Sequence, residues 1–137
     1  MTERTLIKEF RRIVYEEGVD RDKINRLITT YNISQAENAK TIEEISIVCA
    51  AQVFNIEVEF MLSKTRKREC VEARQFIMHF NFNLPTYKTL NEIANIVGMD
   101  DHANVLHANR KIKGLLEVDK TVRERWTLYN TLIEDRI

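Results

Sequence analysis

Turn-forming residues are almost absent from this sequence, with three glycines and one proline among 137 residues. An all-β chain must reverse direction every 8–12 residues or so, and it draws on Gly and Pro for most of those reversals. Four such residues cannot serve a sandwich, a barrel or a collagen-like repeat, so an all-α domain is expected. Apolar residues make up 44% of the chain and charged residues 31%, enough apolar material for one ordinary core and too much for a disordered segment.

The apolar spacing agrees. Leu6, Phe10, Ile13 and Val14 recur at helical intervals before Gly18, which offers a stop, and Asp20 can cap a second helix carrying Ile24, Leu27, Ile28 and Tyr31. The polar stretch from Asn32 to Lys40 reads as a connection, which makes residues 1–40 an N-terminal helical hairpin and residues 41–137 a separate helical bundle. Thr41 with Glu44 has the spacing of a capping box for a third helix ending near Phe54, and a short amphipathic turn spans Val58 to Leu62. A long helix is expected after Ser63, its start carrying Lys64, Arg66, Lys67 and Arg68 and its body Val71, Ala73, Phe76, Ile77 and Phe80. Cations are unfavourable beside the positive end of a helix dipole, so the run points to an anionic partner rather than to helix stabilisation.

Pro85 interrupts the pattern, and Thr89 with Glu92 forms a second capping box for a short helix of Leu90, Ile93, Ala94 and Val97. Gly98 ends that helix. The next aligns Val105, Ala108, Ile112 and Leu116 on one side and Ala103, Asn104, His107, Arg110 and Lys111 on the other, and a last helix from about Val118 carries Val122, Trp126, Tyr129, Leu132 and Ile133. Helix, Gly-containing turn, helix is a helix-turn-helix arrangement. Its second helix enters the DNA major groove with its first residues nearest the bases, which nominates Asp101, His102, Ala103 and Asn104. Asp can accept from cytosine N4, Asn can pair with an adenine edge, and an Ala methyl can pack on a thymine methyl.

The stretch from Asp101 to Ala108 followed by Arg110, Lys111 and Ile112 resembles the signature of the C-terminal DNA-binding domain of the bacterial replication initiator DnaA. Upstream, Leu62 to Arg68 and then Ala73, Arg74 and Gln75 resemble that family's basic loop and following helix. The likeness covers roughly Thr41 to Ile133, with no counterpart found for the first 40 residues. It implies sequence-specific binding of double-stranded DNA linked to replication initiation or its regulation. Arg66 would reach the minor groove, Arg74 and Gln75 would contact phosphates, and Asp101 and His102 would read bases, with Lys64, Lys67, Arg68 and Lys111 along the backbone. The chain departs from the family pattern in having Met99 and Asp100 where Gly and Arg are usual, and Ala103 and Asn104 where hydroxyl residues are usual. The loop around Pro85 is also about one residue longer than the family's.

Other chemistry finds little footing. Three glycines cannot build a Gly-rich Walker A loop, so no nucleotide is expected, and no serine has a Gly-rich elbow or an activating partner, so catalysis is not expected. Cys49, Cys70 and the three histidines lack metal-ligand spacing, so the cysteines are expected as reduced core thiols, with no metal or other cofactor. Met1 to Phe10 mixes charge with apolar residues, and nowhere do about 18 apolar residues run together, which reads as a cytoplasmic chain without a membrane span. An alternative reading is a protein interaction module that keeps the fold without DNA binding, with the face of Leu6, Phe10, Ile13 and Val14 serving a partner or a homodimer.

The charge balance has a shape. Lys and Arg number 21 and so do Asp and Glu, yet Met61 to Gly114 holds nine basic and five acidic residues, leaving the remainder net negative. Overall neutrality argues against indiscriminate nucleic-acid coating and leaves room for a local basic face.

Overall fold

A computed structural model describes residues 3–16, 21–85 and 88–137. Eight helices and no strand occur among them: α1 (Glu3–Glu16), α2 (Arg21–Asn38), α3 (Ile42–Phe54), α4 (Val58–Met61), α5 (Arg68–Asn83), α6 (Leu90–Ile96), α7 (His102–Val118) and α8 (Lys120–Glu134). None of the described helices is long and apolar enough to cross a membrane.

Local signals set several boundaries as expected. The Thr89 hydroxyl accepts from the Glu92 N–H at 3.1 Å while the Glu92 carboxylate accepts from the Thr89 N–H, a complete capping box. Thr41 caps α3 in the same way, but Glu44 reaches back to the N–H of Lys40, one residue outside the box. Two expectations are corrected. The stretch from Asn32 is not a connection, because α2 continues to Asn38. The basic run does not lie within a helix start either: α5 begins only at Arg68, leaving Lys64 to Lys67 in the loop after α4. The proposed stop at Gly18 and cap at Asp20 lie outside the described residues.

The core forms where α5 crosses α3 and α7, with α8 closing over α3 and α7. Cys49, Ala50, Ala51, Ala73, Phe76, Ala94, Val105, Ala108, Ile112 and Tyr129 are fully buried. The small residues let the backbones approach, and the aromatic rings fill the remaining space at α5 and α8. Phe76 meets Phe54, Trp126 and Tyr129 with ring centroids 5.1–5.8 Å apart, in edge-on or tilted contacts. Tyr129 is thus a core residue and Trp126 a partly buried ring packed against the core. Burial raises the Cys49 thiol to about 11, which keeps it protonated and inert, and raises Cys70 for the same reason.

Buried polar groups tie the elements together. The Tyr129 hydroxyl donates to the Ser46 carbonyl at 2.9 Å, and the Asn81 amide donates to the Ser46 hydroxyl at 3.1 Å, joining α8, α3 and α5. Lys88, just before α6, pairs with Glu43 of α3 at 2.7 Å and holds that carboxyl below its usual range. The hairpin is joined to this bundle rather than set apart from it. α1 packs along α2 and α2 packs on α3. The buried Asn32 donates to the carbonyls of Ala51 and Ile56 at 3.1 and 3.0 Å. Ile13, Leu27 and Tyr31 are buried between the helices, while Phe10, expected on the same face as Ile13, remains 46% exposed.

Candidate nucleic-acid interface

Two segments bring the expected site residues to the surface. The first is the loop from Leu62 to Lys67. It leaves α4, whose N-terminus is capped by the Glu57 carboxylate accepting from the N–H groups of Glu59 and Phe60. Lys67 has no helix-capping side-chain bond of its own, and its ammonium sits 5.4 Å from the Phe60 ring centroid, a cation–π contact. Lys64, Arg66, Lys67 and Arg68 are exposed. Arg74 is not: it is 3% exposed, and its guanidinium donates inward to the carbonyls of Met61, Ser63 and Thr65 at 2.7–2.9 Å. Gln75 is likewise buried, at 6%. The two residues expected at phosphates therefore lie beneath the surface that the loop cations present.

The second segment is α6, a tight turn and α7. At the end of α6, Gly98 takes φ +75°, and the Met99 N–H donates back to the Ala94 carbonyl at 2.9 Å, which turns the chain into α7. Asp101 is the N-cap of α7, its carboxylate accepting from the Ala103 N–H at 2.9 Å. One of its oxygens is thus committed to the helix, while the side chain stays exposed beside His102. Val105, Ala108 and Ile112 are buried on the inner side. His102, Ala103, Asn104 and Lys111 are exposed, as expected. His107 and Arg110 are also exposed and extend the same face toward Lys111. The 100° periodicity places both there, so the sequence already carried the signal for including them.

α7 is also held laterally. On α5, His79 Nδ1 donates to Asn109 Oδ1 at 2.7 Å, and the Asn83 amide donates to the His79 carbonyl at 2.8 Å and to Asn109 Oδ1 at 3.1 Å. His79 packs against Trp126, and its burial lowers its pKa below 6.5. The outer face of α7 is presented by a helix pinned on two sides.

The loop and α7 converge. Arg66, Arg68, Gln75 and Lys111 line one groove of about 350 Å³, floored by Val71, Leu115 and Val122 and flanked by Glu72 and Asp119. Asp101 to Asn104 lie outside this groove, about 10–15 Å away along α7 at 1.5 Å per residue. The residues expected to bind DNA therefore form two clusters, a cationic groove whose wall includes the largely buried Gln75 and a polar helix start, with Arg74 underneath.

A short helix, a Gly turn and a longer helix with an unpacked polar face define a helix-turn-helix protein. Residues 42–112 match the bacterial DnaA protein helix-turn-helix family, and the chain belongs to it. Similar proteins include chromosomal replication initiator proteins DnaA of Bacteroides thetaiotaomicron, 35% identical over 112 residues (81% of this chain and 23% of that protein), and Bacteroides fragilis, 34% over 124 residues (90% and 25%). That of Ehrlichia ruminantium is 37% identical over 83 residues, 61% of this chain and 18% of the relative. The chain thus spans about a quarter of the length of the first two relatives. A match of 124 residues leaves only 13 of the 137 outside it, so the likeness extends into the first 40 residues, where none was expected. No solved structure matches the chain.

Proposed function

We propose that this chain binds double-stranded DNA sequence-specifically, with the start of α7 in the major groove and the α4–α5 loop at the minor groove and backbone, in a role linked to replication initiation or its control. The carrying observation is the convergence of Arg66, Arg68 and Lys111 on one groove beside a helix whose outer face is polar and unpacked. Arg66 enters the minor groove, where a guanidinium suits the negative potential of a narrow A·T-rich stretch. Lys64, Lys67, Arg68 and Lys111 hold the backbone. Asp101, through the carboxylate oxygen left free by capping, reads the major groove together with His102, Ala103 and Asn104. Asp100 and Asn104 set the preferred sequence apart from that of relatives carrying Arg and a hydroxyl at those positions.

Selection from a random duplex library at two salt concentrations tests this directly. An enriched sequence retained at moderate salt is expected, and its absence defeats the reading. Arg66→Ala should weaken binding at least tenfold, whereas Asn104→Ala should relax preference at one base pair and leave the salt slope nearly unchanged.

One observation favours a second reading, a protein interaction module. Ile7 and Phe10 are 47% and 46% exposed and line an apolar groove of about 900 Å³ with Leu27, Phe54, Ile56 and Phe60. Self-association through this face would let two readers occupy paired sites. Sedimentation of the chain with and without duplex separates a monomeric reader from a dimeric one.

A further inference from the structure

We infer that Arg74 is a positioning residue that shapes the α4–α5 loop from inside and presents Arg66 outward, without itself touching DNA. The inference rests on the proposed docking of that loop against duplex DNA.

The geometry of the guanidinium carries it. Nη1 donates to the Met61 carbonyl at 2.9 Å and the Ser63 carbonyl at 2.8 Å, and Nη2 to the Thr65 carbonyl at 2.7 Å. These are three alternate carbonyls of one short segment, gathered around a single planar fork. Carbonyls turned toward Arg74 cannot bond along a helix axis, so the segment stays out of α5 and the helix starts only at Arg68. Other bonds in the loop are few: Ser63 reaches back to the Phe60 carbonyl, and the Lys67 N–H reaches the Thr65 hydroxyl at 3.3 Å. Arg74 is therefore the main tie between the loop and the bundle. Residues on the loop's outer side, Lys64, Arg66 and Lys67, are exposed while Arg74 is 3% exposed. Two donors remain, the Nε–H, which has no partner, and the second Nη2–H, but at 3% exposure they lie beneath the surface where a phosphate would sit. Lysine keeps the charge but has one point donor on a flexible stem, and it cannot span three carbonyls as the fork does.

The test is a double-mutant cycle on the full chain with Arg66→Ala, Arg74→Lys and the double variant, read as Kd for the duplex enriched from the random library, together with hydrogen exchange of the free proteins. Positioning predicts that Arg74→Lys weakens binding at least fivefold despite retaining the charge, and changes Kd less than about twofold once Arg66 is already Ala. It also predicts faster amide exchange across residues 62–67 without DNA, with α3 and α7 still protected, which shows that the fold persists. Two outcomes overturn the inference: losses that multiply independently, as a direct phosphate contact would give, or loop exchange unchanged in Arg74→Lys. A wild-type chain that enriches no duplex defeats the DNA reading and the docking half of the inference. Unchanged exchange with DNA binding intact defeats the inference alone.

Discussion

Gly98 and Gly114 lie on either side of the proposed reading surface, and alanine should affect them in opposite directions. At Gly98 the backbone takes φ +75°, and a Cβ would stand 3.4 Å from the Leu62 carbonyl oxygen, an ordinary contact at its close limit. The cost of Gly98→Ala is therefore mainly conformational, about 1–2 kcal/mol for an L-residue in the left-handed region, offset in part by the smaller entropy of the unfolded chain. Gly114 lies within α7, exposed, with nothing within 4 Å of its would-be Cβ. There alanine removes the helix penalty of glycine, a gain of about 0.8–1 kcal/mol. With an unfolding entropy of about 2.1 cal/mol/K per residue, each kcal/mol moves Tm by roughly 3–4 °C in a chain of this length. Thermal unfolding followed by circular dichroism should show Gly98→Ala several degrees below wild type and Gly114→Ala about 3 °C above it. Gly98→Asn should fall between Gly98→Ala and wild type, since Asn tolerates this backbone region better. A Gly98→Ala variant as stable as wild type would refute the claim that this turn needs a residue without a Cβ. Because the turn sets the angle between α6 and α7, the same variant should lose duplex affinity at temperatures where it is still folded.

Other outcomes follow from the buried polar ties. Asn32→Leu strands the carbonyls of Ala51 and Ile56 and should cost about 1–3 kcal/mol in a denaturant titration; an unchanged midpoint would mean that these two bonds contribute nothing to stability. Tyr129→Phe removes a fully buried hydroxyl bond to the Ser46 carbonyl and should cost about 1 kcal/mol while leaving Trp126 fluorescence nearly unchanged. His79 has its pKa lowered by burial from 6.5, so below that pH the unfolded chain takes up a proton that the folded chain resists. Its contribution to stability is thus fully present above pH 6.5 and is lost as the pH falls, levelling off once the folded histidine also protonates. Tm measured from pH 7.5 to 5.5 should fall in wild type and fall less in His79→Gln.

What the sequence determined by itself was local. Thr89 with Glu92, the Gly98 stop and the Val105, Ala108, Ile112 stripe each act through bonds or spacings within a few residues, so helix-turn-helix geometry and its outward face were legible without any tertiary contact. His107 and Arg110 were legible on the same grounds. Tertiary structure decided the rest, because the partners are distant in the chain. Asn32 looked like the start of a polar connection, but its amide finds carbonyls 19 and 24 residues away, and α2 runs through it to Asn38. Lys64 to Lys67 looked like a helix start, but Arg74 draws the carbonyls of Met61, Ser63 and Thr65 inward, and the cations stand on a loop instead. A charged side chain in a sequence carries no mark of whether it will meet solvent or backbone. Arg66 and Arg74 are eight residues apart, and only the folded packing of α4 against α5 sends one outward and the other in.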